Sequence, residues 1–456
     1  MVHDNRRDFL RKSLMATGAV LASGSALSHP AILNQKRPND QINVAVIGIN
    51  GKGKHHYSRF CQIPNTRVTV ICDVDERLFP AAIKDIETLS GFKPRTEIDI
   101  RNVLEDKDVD VISIATPDHW HTLMTVWACQ AGKDVYVEKP VSYTIEEGRK
   151  MVEAARKYGR IVQAGMNMRS EASVQEAMKF LHEGKLGDIY MAKGVCFKPR
   201  NSIGHLKDSN VPEGVHWDLF LGPAPERPFN PNRFHYNWHY FWDYSTTEMG
   251  NIVHQMDLAR WGMNKHEHPV KVHSAGGMFV WDSDQEVPNT QHVIFEYADG
   301  KILQYEVRGV YSNEEGDVSV GNLFFGSDGW MTSAGGWKTF YGGTEGVSDP
   351  DYTPGFPKRI EKPGPIIQQM DLSAYPKTDH YENFINCVRS RKREDLYADI
   401  IEGHRSATLS HLANISFRTG RKLIFNPDTE TFNGDTAANA YLSRQYRYPY
   451  IMPKEV

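Results

Sequence analysis

A short apolar segment that ends in a cluster of glycines constrains the fold of this chain more than any other feature. Residues 42–53 read Ile-Asn-Val-Ala-Val-Ile-Gly-Ile-Asn-Gly-Lys-Gly. The nearly continuous run of β-branched residues predicts a strand that helices bury on both faces. Gly48, Gly51 and Gly53 predict a tight turn into a helix whose backbone N–H groups and dipole hold a pyrophosphate. A dinucleotide is the expected ligand, although Asn50 replaces the second glycine of the usual G-x-G-x-x-G pattern.

An aspartate after the next predicted strand indicates which dinucleotide is bound. Val68–Cys72 is a second apolar run, and Asp73 follows it at about 20 residues from the last glycine. An acid at this position binds the adenosine ribose hydroxyls and repels a 2′-phosphate. The sequence therefore predicts NAD rather than NADP as the cofactor.

Residues 1–33 are typical of an export signal and a linker. Arg6-Arg7 is followed by Phe9-Leu10 and then by a weakly apolar stretch at 13–27 with small residues near its end. This arrangement predicts a twin-arginine signal and a periplasmic or otherwise exported protein. The alternative is a basic disordered tail. The apolar stretch is too short and too rich in Gly, Ser and Ala to span a membrane.

Composition restricts the remaining classes of protein. A chain of 456 residues is too long for one ordinary core, so two domains are expected. The net charge of −4 provides no basic field for nucleic acid. The five cysteines are scattered and form neither a disulfide framework nor a zinc pattern.

Strand and helix patterns alternate up to residue 165, which predicts a doubly wound α/β sheet. Further buried strands are expected at 110–115, 134–137 and 161–164. The ligand of such a sheet lies at the carboxyl ends of its strands. Thr116 and Lys139 follow two of these strands, as Gly48 and Asp73 follow the first two.

These motifs together resemble the Gfo/Idh/MocA oxidoreductases, named for glucose-fructose oxidoreductase and inositol dehydrogenase. The resemblance lies in the glycine loop, Asp73, the Thr116-Pro117 turn with His121 and, above all, Glu138-Lys139-Pro140. It covers nearly the whole chain after the export signal. The implied cofactor is NAD or NADP, and the implied assembly is a homodimer or homotetramer.

The resemblance also implies a domain organisation. An N-terminal Rossmann domain is expected at 34–165, and a C-terminal α/β domain with an open, mostly antiparallel sheet is expected at 166–435. Patterns at 270–279, 292–297 and 301–310 predict strands of that sheet. Helices within 380–420 are expected to pack back on the Rossmann domain. A long loop is expected at 342–376, and a polar tail at 436–456 is expected to reach a neighbouring subunit.

The strand ends and the resemblance together give the predicted cofactor site. The expected NAD-binding residues are Gly48, Asn50, Gly51, Lys52, Gly53, Asp73, Thr116, Pro117, His119, Trp120, His121, Glu138, Lys139 and Asn167. His119 and His121 form a His-x-His pair of a kind that ligates zinc. No third ligand is suggested nearby, so no metal is expected.

Lys139 and His254 are the predicted catalytic residues. Burial beside an oxidised nicotinamide would lower the pKa of the Lys139 amine and allow proton transfer near neutrality. The family often carries Asp-x-x-x-His in the helix predicted at 248–261, with the histidine as catalytic base. Gly250 stands in place of that aspartate, so Asp243 or Asp257 is the expected partner of His254.

An irregular, aromatic-rich segment at 199–244 predicts where a sugar binds. The C–H face of a sugar stacks on an aromatic ring while its hydroxyls meet polar side chains. The alternative is a packed aromatic cluster that pins a long loop. The expected substrate-binding residues are Arg169, His239, Trp242, Asp243, Tyr244 and Asp257.

The predicted function is that of an exported NAD-dependent oxidoreductase acting on a sugar or glycoside. Because no pool of free NAD is evident outside the cytoplasm, the cofactor is expected to stay tightly bound and to be recycled internally. The open alternatives are an NAD-dependent glycoside hydrolase, an epimerase, a transhydrogenase, and a non-catalytic sugar- or nucleotide-binding protein.

Overall fold

The structure is a computed structural model that describes residues 41–341, except 252 and 335, and residues 379–456. The apolar runs of the first half form a parallel six-stranded sheet. Its order is β3-β2-β1-β4-β5-β6, the order of doubly wound dinucleotide-binding sheets. Helices cover both faces, which explains the uninterrupted apolar runs. The predicted Rossmann sheet is confirmed. Its strands are β1 (Ile42–Ile47), β2 (Thr66–Cys72), β3 (Arg95–Glu97), β4 (Val111–Ile114), β5 (Asp134–Val137) and β6 (Val162–Ala164).

The helices between these strands begin and end at recognisable residues. The Thr144 side chain accepts a hydrogen bond from the Glu147 backbone N–H and so caps the fifth helix, as its capping-box pattern predicts. The predicted export signal and the predicted loop at 342–376 lie outside the described residues. The helices of this half are α1 (Lys52–Phe60), α2 (Phe79–Ser90), α3 (Ile100–Leu104), α4 (Asp118–Gln130) and α5 (Ile145–Lys157).

The second half builds an eight-stranded sheet in the order β13-β12-β11-β7-β10-β9-β8-β14. Among the described strands of this sheet, only β7 and β10 pair in parallel, so the predicted mostly antiparallel sheet is confirmed. Side chains of β9 and β10 alternate between buried and half-buried, as expected for a sheet with one covered face. Its strands are β7 (Ile189–Cys196), β8 (Lys271–Gly277), β9 (Thr290–Glu296), β10 (Ile302–Arg308), β11 (Val320–Gly326), β12 (Gly329–Thr332), β13 (Lys338–Tyr341) and β14 (Leu423–Ile424).

The helix predicted at 248–261 corresponds to helical residues Thr247–Asn251 and Val253–Gly262, which flank residue 252, outside the described residues. The Asn251 carbonyl accepts a hydrogen bond from Lys139 Nζ. Within the described ranges, every helix is too short or too polar to cross a bilayer. The helices of this half are α6 (Ala172–His182), α7 (Trp217–Leu221), α8 (Thr247–Asn251), α9 (Val253–Gly262), α10 (His380–Ser390), α11 (Ile400–Thr419) and α12 (Thr436–Asn439).

Late elements of the chain pack on the first sheet. Tyr381 of α10 stacks on Tyr136 of β5 with ring centroids 4.7 Å apart. The tail packs on its own chain rather than extending away from it, since Arg444 pairs with Glu147 at 2.8 Å and Tyr450 donates a hydrogen bond to Asp218. Contact of this tail with a neighbouring subunit stays a prediction.

A buried ion network joins the turn after β6 to α9 and α11. Arg169 donates to both carboxylate oxygens of Asp257, at 2.7 and 2.8 Å, and to Glu402 at 3.3 Å. Ser406 and Arg260 also donate to Asp257 Oδ1. Arg169 and Asp257 were expected to bind substrate, but each is already engaged by the other inside the protein. This pair connects elements of the fold.

Replacing Arg169 with Met is expected to lower the free energy of unfolding by about 3 kcal/mol, because it leaves the Asp257 carboxylate buried without its main partner. Urea denaturation measures this change. Lys179→Met is a matched control, since Lys179 and Glu183 form an exposed pair that contributes less than about 1 kcal/mol. A normal unfolding midpoint together with a raised KM for substrate would instead assign Arg169 to the binding site.

Candidate active site

A cavity of about 710 Å³ opens at the carboxyl ends of β1, β2, β4 and β5. Gly48, Asp73, Thr116 and Lys139 all line it, as the strand-end argument predicts. The opposite wall comes from the second half of the chain, with aromatic residues between 219 and 239. The cavity therefore lies between the parallel sheet and the aromatic-rich segment.

Two glycines of the glycine loop, Gly48 and Gly53, have no room for a side chain. A Cβ on Gly48 would lie 2.8 Å from the Ala115 carbonyl oxygen, and one on Gly53 would lie 1.8 Å from the Gly48 carbonyl oxygen. Gly48 has a φ of +79°, which also favours glycine. Helix α1 starts at Lys52 without any side-chain cap, so its first N–H groups have no side-chain acceptor. This helix start fits the pyrophosphate of a dinucleotide.

Asp73 is held rigidly at the end of β2. Its carboxylate accepts hydrogen bonds from the backbone N–H of Ile49 at 2.8 Å and of Asp75 at 3.0 Å. Burial raises the pKa of Asp73 to about 6. The carboxylate is therefore mostly ionised at pH 7 and loses its charge as the pH falls through 6.

Glu138 is a buried acid directly below Lys139. It accepts a hydrogen bond from the Lys139 backbone N–H at 3.1 Å and lies 3.0 Å from His56 Nε2 and 3.7 Å from Lys52 Nζ. Burial alone would raise its pKa, but the hydrogen bond with His56 and the charge of Lys52 hold that pKa well below its usual range. Glu138 therefore keeps a fixed negative charge between two lysines of the cavity.

The Lys139 amine reaches across the cavity to the second half of the chain. It donates to the backbone carbonyl of Asn251 and lies 3.4 Å from the Asn251 side-chain oxygen. Burial lowers the pKa of Lys139, and the charges of Glu138 and Asp118 oppose this shift. A lysine with a lowered pKa is suited to proton transfer.

His121 ties together two loops of the cavity. Its Nδ1 lies 2.7 Å from the Pro140 carbonyl oxygen and its Nε2 lies 2.8 Å from the Thr116 carbonyl oxygen. Trp120, its neighbour, is bonded through Nε1 to the Leu219 carbonyl at 3.1 Å. Both residues line the cavity, so α4 contributes a rigid part of its wall.

Asp118 is a site residue that sequence reasoning did not assign. Its Oδ2 accepts from both the backbone N–H and the hydroxyl of Thr246, each at 2.9 Å, and the residue is only 3% exposed. A Cβ on Gly250 would lie 1.8 Å from that same hydroxyl, which explains why no larger residue occupies the position of the family aspartate. The only available signal was the acid within the Thr116–His121 turn. Asp118 brings a carboxylate to the cavity from the other domain.

His254 lies behind the cavity rather than in its lining. Its Nδ1 is buried and has no hydrogen-bond partner among the described residues. Burial, together with the nearby charge of Lys139, lowers the pKa of His254 to about 3, so the imidazole is neutral at pH 7. Neither expected partner orients it through a hydrogen bond, because Asp257 is held by Arg169 and Asp243 pairs with Arg227 at 2.7 Å.

One part of the aromatic-rich segment at 199–244 faces the cavity, as expected for sugar binding, and another part is a packed aromatic cluster. Residues at 219–220 and within 234–239 line the cavity, and His235 contacts Asn50 at 3.0 Å and Asp75 at 3.1 Å. The last part of the segment does not line it, because Tyr244 is fully buried in an aromatic core that includes Phe220. Of the expected substrate residues, only His239 lines this cavity. The cavity-lining members of the segment are Leu219, Phe220, Phe234, His235, Tyr236, Trp238 and His239.

Most residues of the predicted cofactor site meet at this cavity. Three do not line it: Gly53 lies within α1, Asn167 starts the 3₁₀ turn after β6, and His119 Nε2 lies 2.9 Å from the Phe220 carbonyl oxygen. The structure adds Asp118 and Asn251 to this lining, and it places His56 behind the lining, beside Glu138. The predicted residues that line it are Gly48, Asn50, Gly51, Lys52, Asp73, Thr116, Pro117, Trp120, His121, Glu138 and Lys139.

Among the described residues, one group of potential metal ligands lies apart from this cavity, at His268, His404 and Glu430. Glu430 Oε1 is 3.1 Å from His268 Nε2 and 2.7 Å from His404 Nε2. These are ordinary hydrogen-bond distances between a carboxylate and two imidazoles. The cluster is explained as a hydrogen-bonded link between α11 and the turn that follows β14.

The protein is expected to bind NAD at least about tenfold more tightly than NADP at pH 8, because ionised Asp73 repels the 2′-phosphate. The preference should shrink at pH 5, below the Asp73 pKa of about 6. Calorimetric titration with both dinucleotides measures the two affinities. Asp73→Asn should lose the preference, while Asp188→Asn, which changes an exposed acid, should keep it. Equal or tighter binding of NADP at pH 8 would contradict this role.

Comparison with known proteins agrees with this geometry. The Gfo/Idh/MocA model of an oxidoreductase family with an NAD-binding Rossmann fold matches residues 42–166. The model of the C-terminal alpha/beta domain of that family matches residues 174–316 and 359–452. The matches follow the division between the two sheets.

Relatives and solved structures are more distant. A glycosyl hydrolase family 109 protein of Shewanella pealeana is 24% identical over 201 residues, which are 41% of this chain and 44% of that protein. The chain thus spans less than half the length of such curated relatives. Levoglucosan dehydrogenase in complex with NADH aligns with a TM-score of 0.58 and 18% identity, over 84% of this chain and 98% of that chain. Aldose-aldose oxidoreductase from Caulobacter crescentus, complexed with glycerol, aligns with a TM-score of 0.56 and 18% identity, over 84% and 100%.

The solved structures share the fold, and the two family models together account for both domains. The dinucleotide site at the carboxyl edge of the first sheet is the one that the family description implies. The chain belongs to the Gfo/Idh/MocA family of NAD-binding oxidoreductases.

Proposed function

We propose that this protein is an NAD-dependent oxidoreductase that acts on a sugar or glycoside and reuses one bound cofactor. The observation that carries the proposal is the convergence on one cavity of the glycine loop, Asp73 and a buried Lys139. The aromatic and imidazole side chains opposite them suit a carbohydrate. Two relatives described above are named for carbohydrate chemistry, which supports the same substrate class.

The cavity residues divide into groups with different tasks. The start of α1 would hold the pyrophosphate of NAD, and Asp73 would hold the adenosine ribose. When bound, the nicotinamide supplies a site that accepts a hydride from a sugar carbon. Trp238 and His239 present stacked rings, with centroids 3.6 Å apart, to the part of the cavity left for the substrate.

Lys139 is the residue best suited to move the hydroxyl proton of the sugar. Its pKa is lowered by burial, and its amine is held by the Asn251 carbonyl. The fixed negative charge of Glu138 stabilises the protonated form of the Lys139 amine. In the reverse reaction, in which a ketone is reduced, this protonated amine can donate the proton. Burial also raises the pKa of Asp118, so this carboxyl is suited to exchange a proton near the same place.

His254 would act from behind the residues that line the cavity. Its neutral imidazole can accept a proton at pH 7, but it does not line the cavity. We propose that it receives a proton after a movement of α9 or through a bridging water. Its unpartnered, buried Nδ1 supports a role of this kind, because such an atom is costly unless it serves a function.

Export would make cofactor reuse necessary. The Arg6-Arg7 pattern supports export in a folded state, which allows NAD to travel inside the protein. Outside the cytoplasm the hydride must then return to a sugar. A transhydrogenation between two sugars, an epimerisation or a glycoside cleavage would each close the cycle.

Glycoside cleavage is the second candidate, and the likeness to a glycosyl hydrolase family 109 protein favours it. Oxidation of a sugar hydroxyl to a ketone acidifies the neighbouring C–H. A base such as Lys139 or His254 removes that proton, and the electron pair expels the β-linked alkoxide as an alcohol. Water then adds to the resulting double bond, and the ketone is reduced back to the hydroxyl. The net reaction is hydrolysis without any external oxidant.

Lys139→Ala and Asp118→Asn are expected to lower kcat by about 10²–10⁴-fold, the usual contribution of general acid–base groups, while NAD stays bound. His254→Ala should lower kcat by a similar factor if the imidazole serves as a base. Lys54→Ala, an exposed lysine on α1 outside the cavity, is the matched control. Turnover is followed on a panel of sugars and glycosides, and bound dinucleotide is measured after denaturation. Near-normal kcat in Lys139→Ala would remove this lysine from the mechanism.

The purified protein is expected to release dinucleotide on denaturation and to turn over without added NAD. A chromogenic glycoside, supplied alone, tests cleavage, while pairs of free sugars test transhydrogenation. Nicotinamide absorbance should reach a plateau at no more than one equivalent per active site. Turnover that needs stoichiometric NAD and accumulates NADH would leave an ordinary dehydrogenase.

A further inference from the structure

A second cavity, of about 230 Å³, lies between the start of α5, α11 and the tail. None of its lining residues belongs to the larger cavity. It contains Trp242, which the sequence pattern suggested as a sugar-stacking residue and which the active site does not use. Among the described residues, its lining has two arginines and no acid. Glu147, outside the lining, pairs with Arg444, so the uncompensated positive charge of this concave site is that of Arg418, which favours an anion.

Arg418 is the exposed cation of this cavity. Its guanidinium carbon lies 4.7 Å from the centroid of the Trp242 ring and 4.4 Å from that of Tyr441. No carboxylate in the described part of the chain pairs with it within 4 Å. Because the two aromatic contacts hold the flat face of the guanidinium, its N–H edge stays available for in-plane hydrogen bonds to an oxyanion.

Arg444 is the buried cation of the cavity, with its side chain only 10% exposed. Its guanidinium carbon lies 4.5 Å from the centroid of the Tyr143 ring. Nη2 donates to the His119 carbonyl, and Nε lies 2.8 Å from a Glu147 oxygen. Nη1 is also buried, yet it has no hydrogen-bond partner among the described residues. A buried guanidinium N–H without an acceptor is costly, so this group points to a ligand with an acceptor oxygen.

The other polar groups of the cavity suit an oxyanion. Ser245 brings a hydroxyl group, whereas the Thr246 hydroxyl already donates to Asp118. Burial lowers the pKa of His411 to about 3, so this imidazole is neutral. A volume of about 230 Å³ is below the range of roughly 300–1,000 Å³ typical of sites for drug-sized ligands. The ligand must therefore be small.

We propose that this cavity binds a small oxyanion, no larger than a monosaccharide, through Arg418 and Arg444. A sugar carboxylate and an inorganic sulfate or phosphate share this chemistry. The site is separate from the NAD cavity, so its occupation does not depend on the function proposed above.

The test is calorimetric titration of the full chain with sodium sulfate, sodium phosphate and sodium glucuronate at constant ionic strength, with chloride as the balancing salt. Saturable binding of at least one of them is expected. Tighter binding of glucuronate would identify a sugar acid as the ligand, while tighter binding of sulfate or phosphate would identify an inorganic anion. No saturable binding of any of the three would overturn the proposal.

Arg418→Gln should weaken the binding by about tenfold or more, because a charge-assisted hydrogen bond is lost. This side chain is exposed, so the variant should fold normally. Arg67→Gln is the matched control, since exposed Arg67 also stacks on one ring, 4.7 Å from the centroid of Phe92. Equal affinity in Arg418→Gln and the parent, or an equal loss in both variants, would show that the anion does not bind at this cavity.

Discussion

The need to pair two buried charges fixes how the parts of this chain are joined. Arg169 follows the last strand of the parallel sheet, Asp257 lies on α9, and Glu402 lies on α11. Charges in a protein interior are tolerated only with good partners, so these elements have one favourable arrangement. Helix α9 also carries His254, and Asn251, two residues before the start of α9, binds the Lys139 amine. The position of the proposed chemistry thus depends on a salt bridge that does not line the cavity.

The cofactor-binding half of the site was predictable because the strand topology determines where its residues lie. Parallel strands that alternate with helices bring their carboxyl ends to one edge, so Gly48, Asp73, Thr116 and Lys139 had to meet whatever the details of packing. The substrate half was not predictable in this way. The segment that supplies it is irregular, so its hydrophobic residues show neither the strand period of 2 nor the helix period of 3.6 residues. The sequence therefore does not indicate that Trp238 lines this cavity while Trp242 lines the other one. Arg169 and Asp257, 88 residues apart, likewise carry no local sign that they bind each other.

Steric contact explains why Gly250 replaces the family aspartate, and another carboxylate supplies the negative charge. The Thr246 hydroxyl occupies the space that a side chain there would need, and it binds Asp118 instead. The carboxylate that reaches this region therefore comes from the amino end of α4 in the Rossmann domain. Its burial next to Lys139 keeps an acid near the reacting groups, although the chain supplies it from another element. A site can retain its charge pattern while the residue that carries the charge moves to a different part of the sequence.

The tail contacts have a consequence for how the protein is made. Arg447 donates to the Gly222 carbonyl, 225 residues earlier in the chain, and Gly222 is a residue where a Cβ would lie 2.2 Å from the Trp120 ring. Arg444 donates to the His119 carbonyl beside the same ring. A ribosome releases residues 119–222 long before it releases these two arginines. These contacts beside the wall of the dinucleotide cavity therefore form only late in synthesis, after the rest of that wall has been translated.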